Sequence, residues 1–208
     1  MKTSALRAVL LGLVMALGLT ACLSSDAPNL SAEDLLEPAG FAGAYVASAF
    51  PADPSDGPNA ISAHVEPLGE RTYRLTFFEG ERKDAPVLLR LLKLNDGTLL
   101  GVVTDSDPSK GALYAIVTHA SNGSWVFRNV DFKRDRRDRK LSDALTRHGA
   151  RAVSFGADHN AQNQIKGSLT AANLRALFSD PDFSSALAME GGFRLSPMTA
   201  AVTTNIKD

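Results

Sequence analysis

The sequence predicts a β-rich α+β domain: an antiparallel meander of about six to eight strands, bent or barrel-like, packed by two or three helices. Three observations carry that expectation. Between residues 60 and 131, short segments alternate apolar and polar side chains with period two, the mark of half-buried strands. Their connections hold Asn95-Asp96-Gly97 and Asn122-Gly123, which favour tight turns with positive φ. Two of the segments, Val87–Leu92 and Leu113–Val117, are apolar on both faces. A strand of that kind is covered on both sides, by helices outside the sheet or by the sheet curling around something apolar.

Each element follows in order. Residues 23–29 are short and polar and read as a tether. A small helix is expected after them. Ser31 serves as N-cap, Asp34 stands at N3, Leu30 and Leu35 occupy the staple positions, and Pro38 and Gly40 end it. Residues 51–60 carry Pro51, Pro54, Gly57 and Pro58, a loop composition.

Ile61, Ala63 and Val65 alternate with Ser62, His64 and Glu66. Tyr73, Leu75 and Phe77 alternate with Arg74 and Thr76, and Phe78 breaks the rule. Segments 86–94, 98–104, 112–119 and 124–131 complete the set. Such short links force neighbouring strands to be antiparallel. Residues 133–148 read as a helix with Leu141, Ala144, Leu145 and His148 on one stripe and Gly149 after its end.

Strands are expected at 151–155 and 163–168. Thr170 then caps a helix that buries Leu174, Leu177 and Phe178, and Pro181 opens a second helix through Ala188. Phe193–Leu195 is the last expected strand. The domain is expected over residues 31–196, and residues 197–208 read as a loose tail with little to bury.

The first residues have a different grammar. Lys2 and Arg7 precede an apolar stretch from Ala8 to Ala21, which is too short for the roughly 20 residues of a membrane span. It ends in Leu19-Thr20-Ala21-Cys22. This segment resembles a bacterial lipoprotein precursor signal, whose motif is Leu, a small residue or Thr, Ala or Gly, then Cys. The resemblance covers residues 1–22. It implies removal of the signal peptide (residues 1–21), a diacylglyceryl thioether on Cys22, and an acyl chain such as palmitate on the new amino terminus. Two or more chains give stable membrane anchoring. Leu23, standing where Asp often retains such proteins at the inner membrane, implies the outer membrane, facing the periplasm. Residues 22–30 would then be the lipidated cysteine and its tether.

Composition sets limits on chemistry. Cys22 is the single cysteine, so its lipidation leaves no thiol for a disulfide, a catalytic nucleophile or a Cys-based zinc site. The formal charge is −1, and removing Lys2 and Arg7 makes it more acidic. Such a chain has no global drive toward nucleic acid.

Several constellations bear on chemistry. Lys133, Arg134, Arg136, Arg137, Arg139 and Lys140 form a basic run that would suit an anionic polymer, lipid headgroups or an acidic envelope protein. Charge runs of this kind are more often solvated helix faces. His64, His119, His148 and His159 lack metal-ligand spacing, and the acidic loops Asp53–Asp56 and Asp105–Asp107 carry prolines that favour turns over calcium binding. No metal or cofactor is expected. Ser109-Lys110 on a turn is a poor nucleophile pair, and no G-x-S-x-G, S-x-x-K or P-loop occurs. Phe77, Tyr114 and Trp125 on strands would line an apolar pocket in a closed sheet, although aromatics more often fill β cores. Gly43-Ala44-Tyr45 resembles the lipocalin Gly-x-Trp in its glycine and departs from it at the aromatic.

The expected function is a membrane-anchored, non-catalytic binding or interaction module of the cell envelope. The alternatives are a carrier holding an apolar small molecule in its curled sheet, and an enzyme acting on envelope polymers.

Overall fold

The computed structural model describes residues 23–51, 61–105, 107, 111–132, 139–154, 163–167 and 169–198. Among the described residues thirteen strands form one sheet: β1 (Ser24–Ser25), β2 (Leu35–Leu36), β3 (Gly43–Ala49), β4 (Ile61–Gly69), β5 (Thr72–Glu79), β6 (Arg82–Lys83), β7 (Val87–Lys93), β8 (Leu99–Asp105), β9 (Ala112–His119), β10 (Trp125–Phe132), β11 (Ala150–Ser154), β12 (Asn163–Gly167) and β13 (Leu187–Pro197). The helices are α1 (Arg139–Arg147), α2 (Ala171–Ser179) and α3 (Pro181–Ala186).

Eight of the strands close on themselves. The order β10-β13-β3-β4-β5-β7-β8-β9 returns to β10 through the β9–β10 ladder, and every pairing around the ring is antiparallel. The β-rich, barrel-like expectation therefore holds. Seven strands follow one another up and down. The eighth, β13, arrives after the helical excursion and seals the ring.

The turns work as their residues dictate. Gly97 and Gly123 adopt φ of 87° and 80°, and the side chains of Asp96 and Asn122 accept the N–H groups of Thr98 and Ser124.

Closure explains the doubly apolar strands. Leu89 and Leu91 of β7 and Ala115 and Val117 of β9 belong to a cluster inside the ring, with Tyr45, Tyr73, Phe127 and Phe193. Their neighbours Leu92, Tyr114 and Ile116 belong to a second cluster, which also contains Val130, Leu141, Leu145, Leu174, Leu177 and Phe183. Phe78, the exception to the alternation, is partly exposed; its ring lies 5.0 Å from His64, with the Lys83 ammonium 5.9 Å away.

Several expectations need correction. The helix after residue 30 reduces to a single 3₁₀ turn, Ala32–Asp34. Ser31 Oγ bonds the Asp34 carboxylate rather than a backbone N–H, and Leu35-Leu36 extend to pair with Leu92 and Leu91 of β7. Tertiary pairing here overrides a local capping signal.

The expected tether is built into the fold over its first residues: Leu23, Ser24 and Ser25 are buried. The expected strand at 193–195 spans Leu187–Pro197, and the helix before it stops at Ala186. The ladder demands that length, since β13 must pair with β10 on one edge and β3 on the other. Pro197 accordingly belongs to the sheet rather than the tail, Met198 N–H bonds Ala44 O, and residues 199–208 lie outside the described residues. The helix expected from 133 is described from Arg139.

Candidate functional site

The amino-terminal segment is the most distinctive local structure. Strands β9 and β10 pair from Trp125–His119 down to Asn129–Ala115 and then part. Residues 23–25 occupy the gap that opens there. Leu23 N–H donates to Val130 O of β10 at 2.6 Å, while Ser24 and Ser25 pair with Leu113 and Ala112 of β9. On its other edge β1 pairs in parallel with β12, which in turn pairs with β11. Unpaired backbone donors and acceptors at such a seam are costly, and this short strand satisfies them.

Side chains lock the segment. Ser25 Oγ donates to the Asp26 carbonyl, so the Tyr114 hydroxyl, 2.6 Å from the same oxygen, is the donor in that pair. Burial pushes the Tyr114 phenol up to about 12, against the opposing pull of Ser25. Gly111 lets the strand pass. Its φ is 77°, and a Cβ there would stand 2.2 Å from the Ser25 carbonyl oxygen. Downstream, Pro28 is buried and Asn29 N–H donates to Leu169 O at 2.9 Å.

The residues singled out from sequence distribute as follows. Cys22 lies outside the described residues, immediately before the docked Leu23. Lys133, Arg134, Arg136 and Arg137 also lie outside them. Arg139 and Lys140 are exposed at the start of α1. Phe77 and Trp125 are inside the barrel, but Tyr114 is in the outer cluster. The three therefore do not line one pocket. Strand parity is the reason: in β9 residues 115 and 117 take the interior and 114 and 116 the exterior.

An eight-stranded barrel is just wide enough for its own side chains, and aromatics occupy this one. Phe127 stacks on Phe193 at 4.5 Å, Phe77 meets Phe193 edge-on at 5.6 Å, and Phe41 meets Trp125 at 4.9 Å and Tyr73 at 4.8 Å. The Tyr45 hydroxyl, 2.9 and 2.8 Å from the carbonyls of Gly40 and Phe41, holds the Phe41 segment in place. Burial pushes the Tyr45 phenol up, against a smaller opposing pull from the nearby Trp125 N–H, which itself lies outside bonding geometry.

The interior is apolar, and the outward positions Ser62, His64, Glu66 and Arg74 of β4 and β5 are partly or fully exposed. Along β4 and β5 this is the inverse of the outward apolar band of a membrane-spanning barrel. No described helix is long and apolar enough to cross a membrane.

Sequence reasoning overlooked one polar cluster. Asp180 caps α3 through Asp182 N–H and Phe183 N–H, and its other oxygen receives Arg147 at 2.8 Å and His148 Nε2 at 3.0 Å. The Arg147 guanidinium is the main reason the Asp180 carboxyl falls to about 2, helped by His148 and the two amides and opposed by burial. The signal was present, since Asp-Pro at a helix start reads as N-cap and N1. A carboxylate accepting four donors is a clamp between the end of α1 and the start of α3 and a poor general base.

We predict that Asp180→Ala lowers stability by about 1–2 kcal/mol, measurable by urea unfolding. Because the folded value lies below the ordinary 3.8, the contribution of Asp180 is complete above that pH and is lost as pH falls toward 2. Asp180→Asn keeps the cap and should flatten the loss of stability in that window.

The other histidines and acids singled out from sequence are placed as follows. His119 stacks on Trp125 at 4.2 Å, and His159 lies outside the described residues. Asp105 accepts Asp107 N–H at 3.0 Å, which is turn chemistry; Asp53–Asp56 and Ser109-Lys110 lie outside the described residues. Among the described residues no three His, Cys, Asp or Glu side chains gather as a metal site. No protein family, curated protein or solved structure matches this chain.

Proposed function

We propose that this chain is a lipid-anchored lipoprotein of the bacterial envelope, held through Cys22 and acting as a non-catalytic binding or interaction module. The observation that carries the reading is Leu19-Thr20-Ala21-Cys22 at the end of a short apolar segment with a basic start. A β-barrel is consistent with a binding role.

The aromatic filling of the ring supports a surface-binding module over a carrier of apolar small molecules, because a carrier needs an internal cavity of several hundred Å³. In this reading the helices cover the outer face of β7–β10, and the wall formed by β3–β5 is left for an envelope protein or an anionic polymer. The anchor concentrates the module at the membrane, so modest affinity for such a partner suffices. The leucine at position 23 supports the outer membrane as its address.

The test is Cys22→Ser. The variant should fold as before and move from the membrane to the soluble fraction, and intact mass of the parent should show the acyl chains. A variant that still sediments with membranes after a salt wash would sink the anchor. Pull-down of the processed protein from native membranes, with mass spectrometry of proteins and lipids together, separates the binding classes. A specific envelope protein or polymer supports the module, and a stoichiometric apolar small molecule supports the carrier.

A further inference from the structure

Resting on the binding-module reading but not on the lipid anchor, we propose that Arg90 is the centre of a site for an oxyanion, a carboxylate or a phosphate on an apolar body, on the outer wall where β7 meets β5. Leu89 and Leu91 face the ring, so Arg90 between them faces out. Across the ladders from it stand Val102 of β8, fully buried in the outer cluster, and Thr72 of β5, half-buried. In the next row Thr104 is buried, Leu88 is half-buried and Arg74 is exposed. Arg90 therefore sits at the step where the covered wall gives way to the open one.

Of the described arginines, Arg90, Arg175 and Arg194 are partly buried. Arg175 is bonded to Asp34 and the Lys93 carbonyl, and Arg194 lies 5.2 Å over the Phe50 ring. Arg90 has no hydrogen bond or ion pair among the described residues. Asp26, whose charge reaches Tyr114 as that of Arg90 does, is exposed and makes no ion pair with it. Burial holds the Arg90 pKa below its ordinary value, so the guanidinium as well as the stem has given up water. A cation in that state calls for a counter-charge. Its planar fork fits the two oxygens of a carboxylate or phosphate, and Leu88 offers contact to an apolar body beside them. Arg74, diagonally across the ladder at about 7–8 Å, adds a second positive charge. Its own carboxylate partner, Glu66 at 3.4 Å, is a solvent-exposed one that holds it weakly.

Butyrate and butyl phosphate test the site on the processed protein, with butylammonium at equal ionic strength as the control that has the apolar body and no oxyanion. The Arg90 guanidinium signal in NMR, assigned by its absence in Arg90→Gln, should shift saturably with an oxyanion and not with butylammonium. The melting temperature should rise in step. A stronger response to butyrate assigns the partner group as a carboxylate, and a stronger response to butyl phosphate assigns it as a phosphate. In Arg90→Gln the rise in melting temperature should need at least tenfold more ligand, and Arg90→Lys, which keeps the charge and loses the fork, should fall between. Without ligand, Arg90→Gln should melt no lower than the parent, because an unpartnered cation does not hold the fold together. No saturable shift with either oxyanion, an equal response in parent and Arg90→Gln, or a markedly lower melting temperature of ligand-free Arg90→Gln overturns the site. Each of these leaves the module to be decided by the pull-down.

Discussion

Phe127→Ala should lower the free energy of unfolding by about 3–5 kcal/mol, the range expected for emptying a large aromatic site in a core. Phe127 is fully buried, stacks on Phe193 and approaches Phe41 at 6.3 Å. It also sits where the ring closes: its backbone pairs with Val117 on one side and Phe193 on the other. The carbonyl of Phe127 is so close to Gly192 that a Cβ there would fall at 1.9 Å. Phe193 is held by strands on both edges and the Phe41 segment by the Tyr45 hydroxyl, so neither ring can collapse into the space. Chemical denaturation of the mature domain would measure the loss. A change below about 1 kcal/mol would mean that the interior is loosely filled, and the carrier reading would regain ground.

Leu23→Ala should cost about 2–5 kcal/mol, the range for a buried leucine in a site that relaxes only in part. Leu23 belongs to the cluster containing Val130, Tyr114 and Leu145, and its backbone closes the β9–β10 seam. Leucine in a solvated tether would contribute almost nothing. The substitution therefore separates the two descriptions of the amino end by far more than the error of an unfolding curve. Leu23→Ala leaves the Leu-Thr-Ala-Cys motif untouched, so membrane fractionation of the same variant should be unchanged.

The strands between 61 and 132 were legible because their side chains alternate and their turns carry Asn, Asp and Gly where positive φ is needed. Tyr73, Leu75 and Phe77 face inward as their spacing says. Parity on a doubly apolar strand is another matter. Nothing in Leu113–Val117 tells which alternate set faces the ring, and so the sequence does not separate Tyr114, which lies outside, from Phe77 and Trp125, which lie inside. The seam strand was illegible for a related reason. Leu-Ser-Ser has no period and a polar composition, and its burial depends on a gap that exists only once β9 and β10 have diverged. Arg175 shows the same dependence. It bonds Lys93 O and both the backbone and the carboxylate of Asp34, tying α2 to two distant segments. No local pattern announces such a clamp.

Hydrogen exchange at the first residues of the processed protein tests the central structural claim most directly. If residues 23–25 close the barrel seam, the Leu23 amide should exchange as slowly as the ladder amides of β9 and β10 and open only with the barrel as a whole. Exchange of that amide at the rate of a free peptide, beside a protected barrel, would contradict the account.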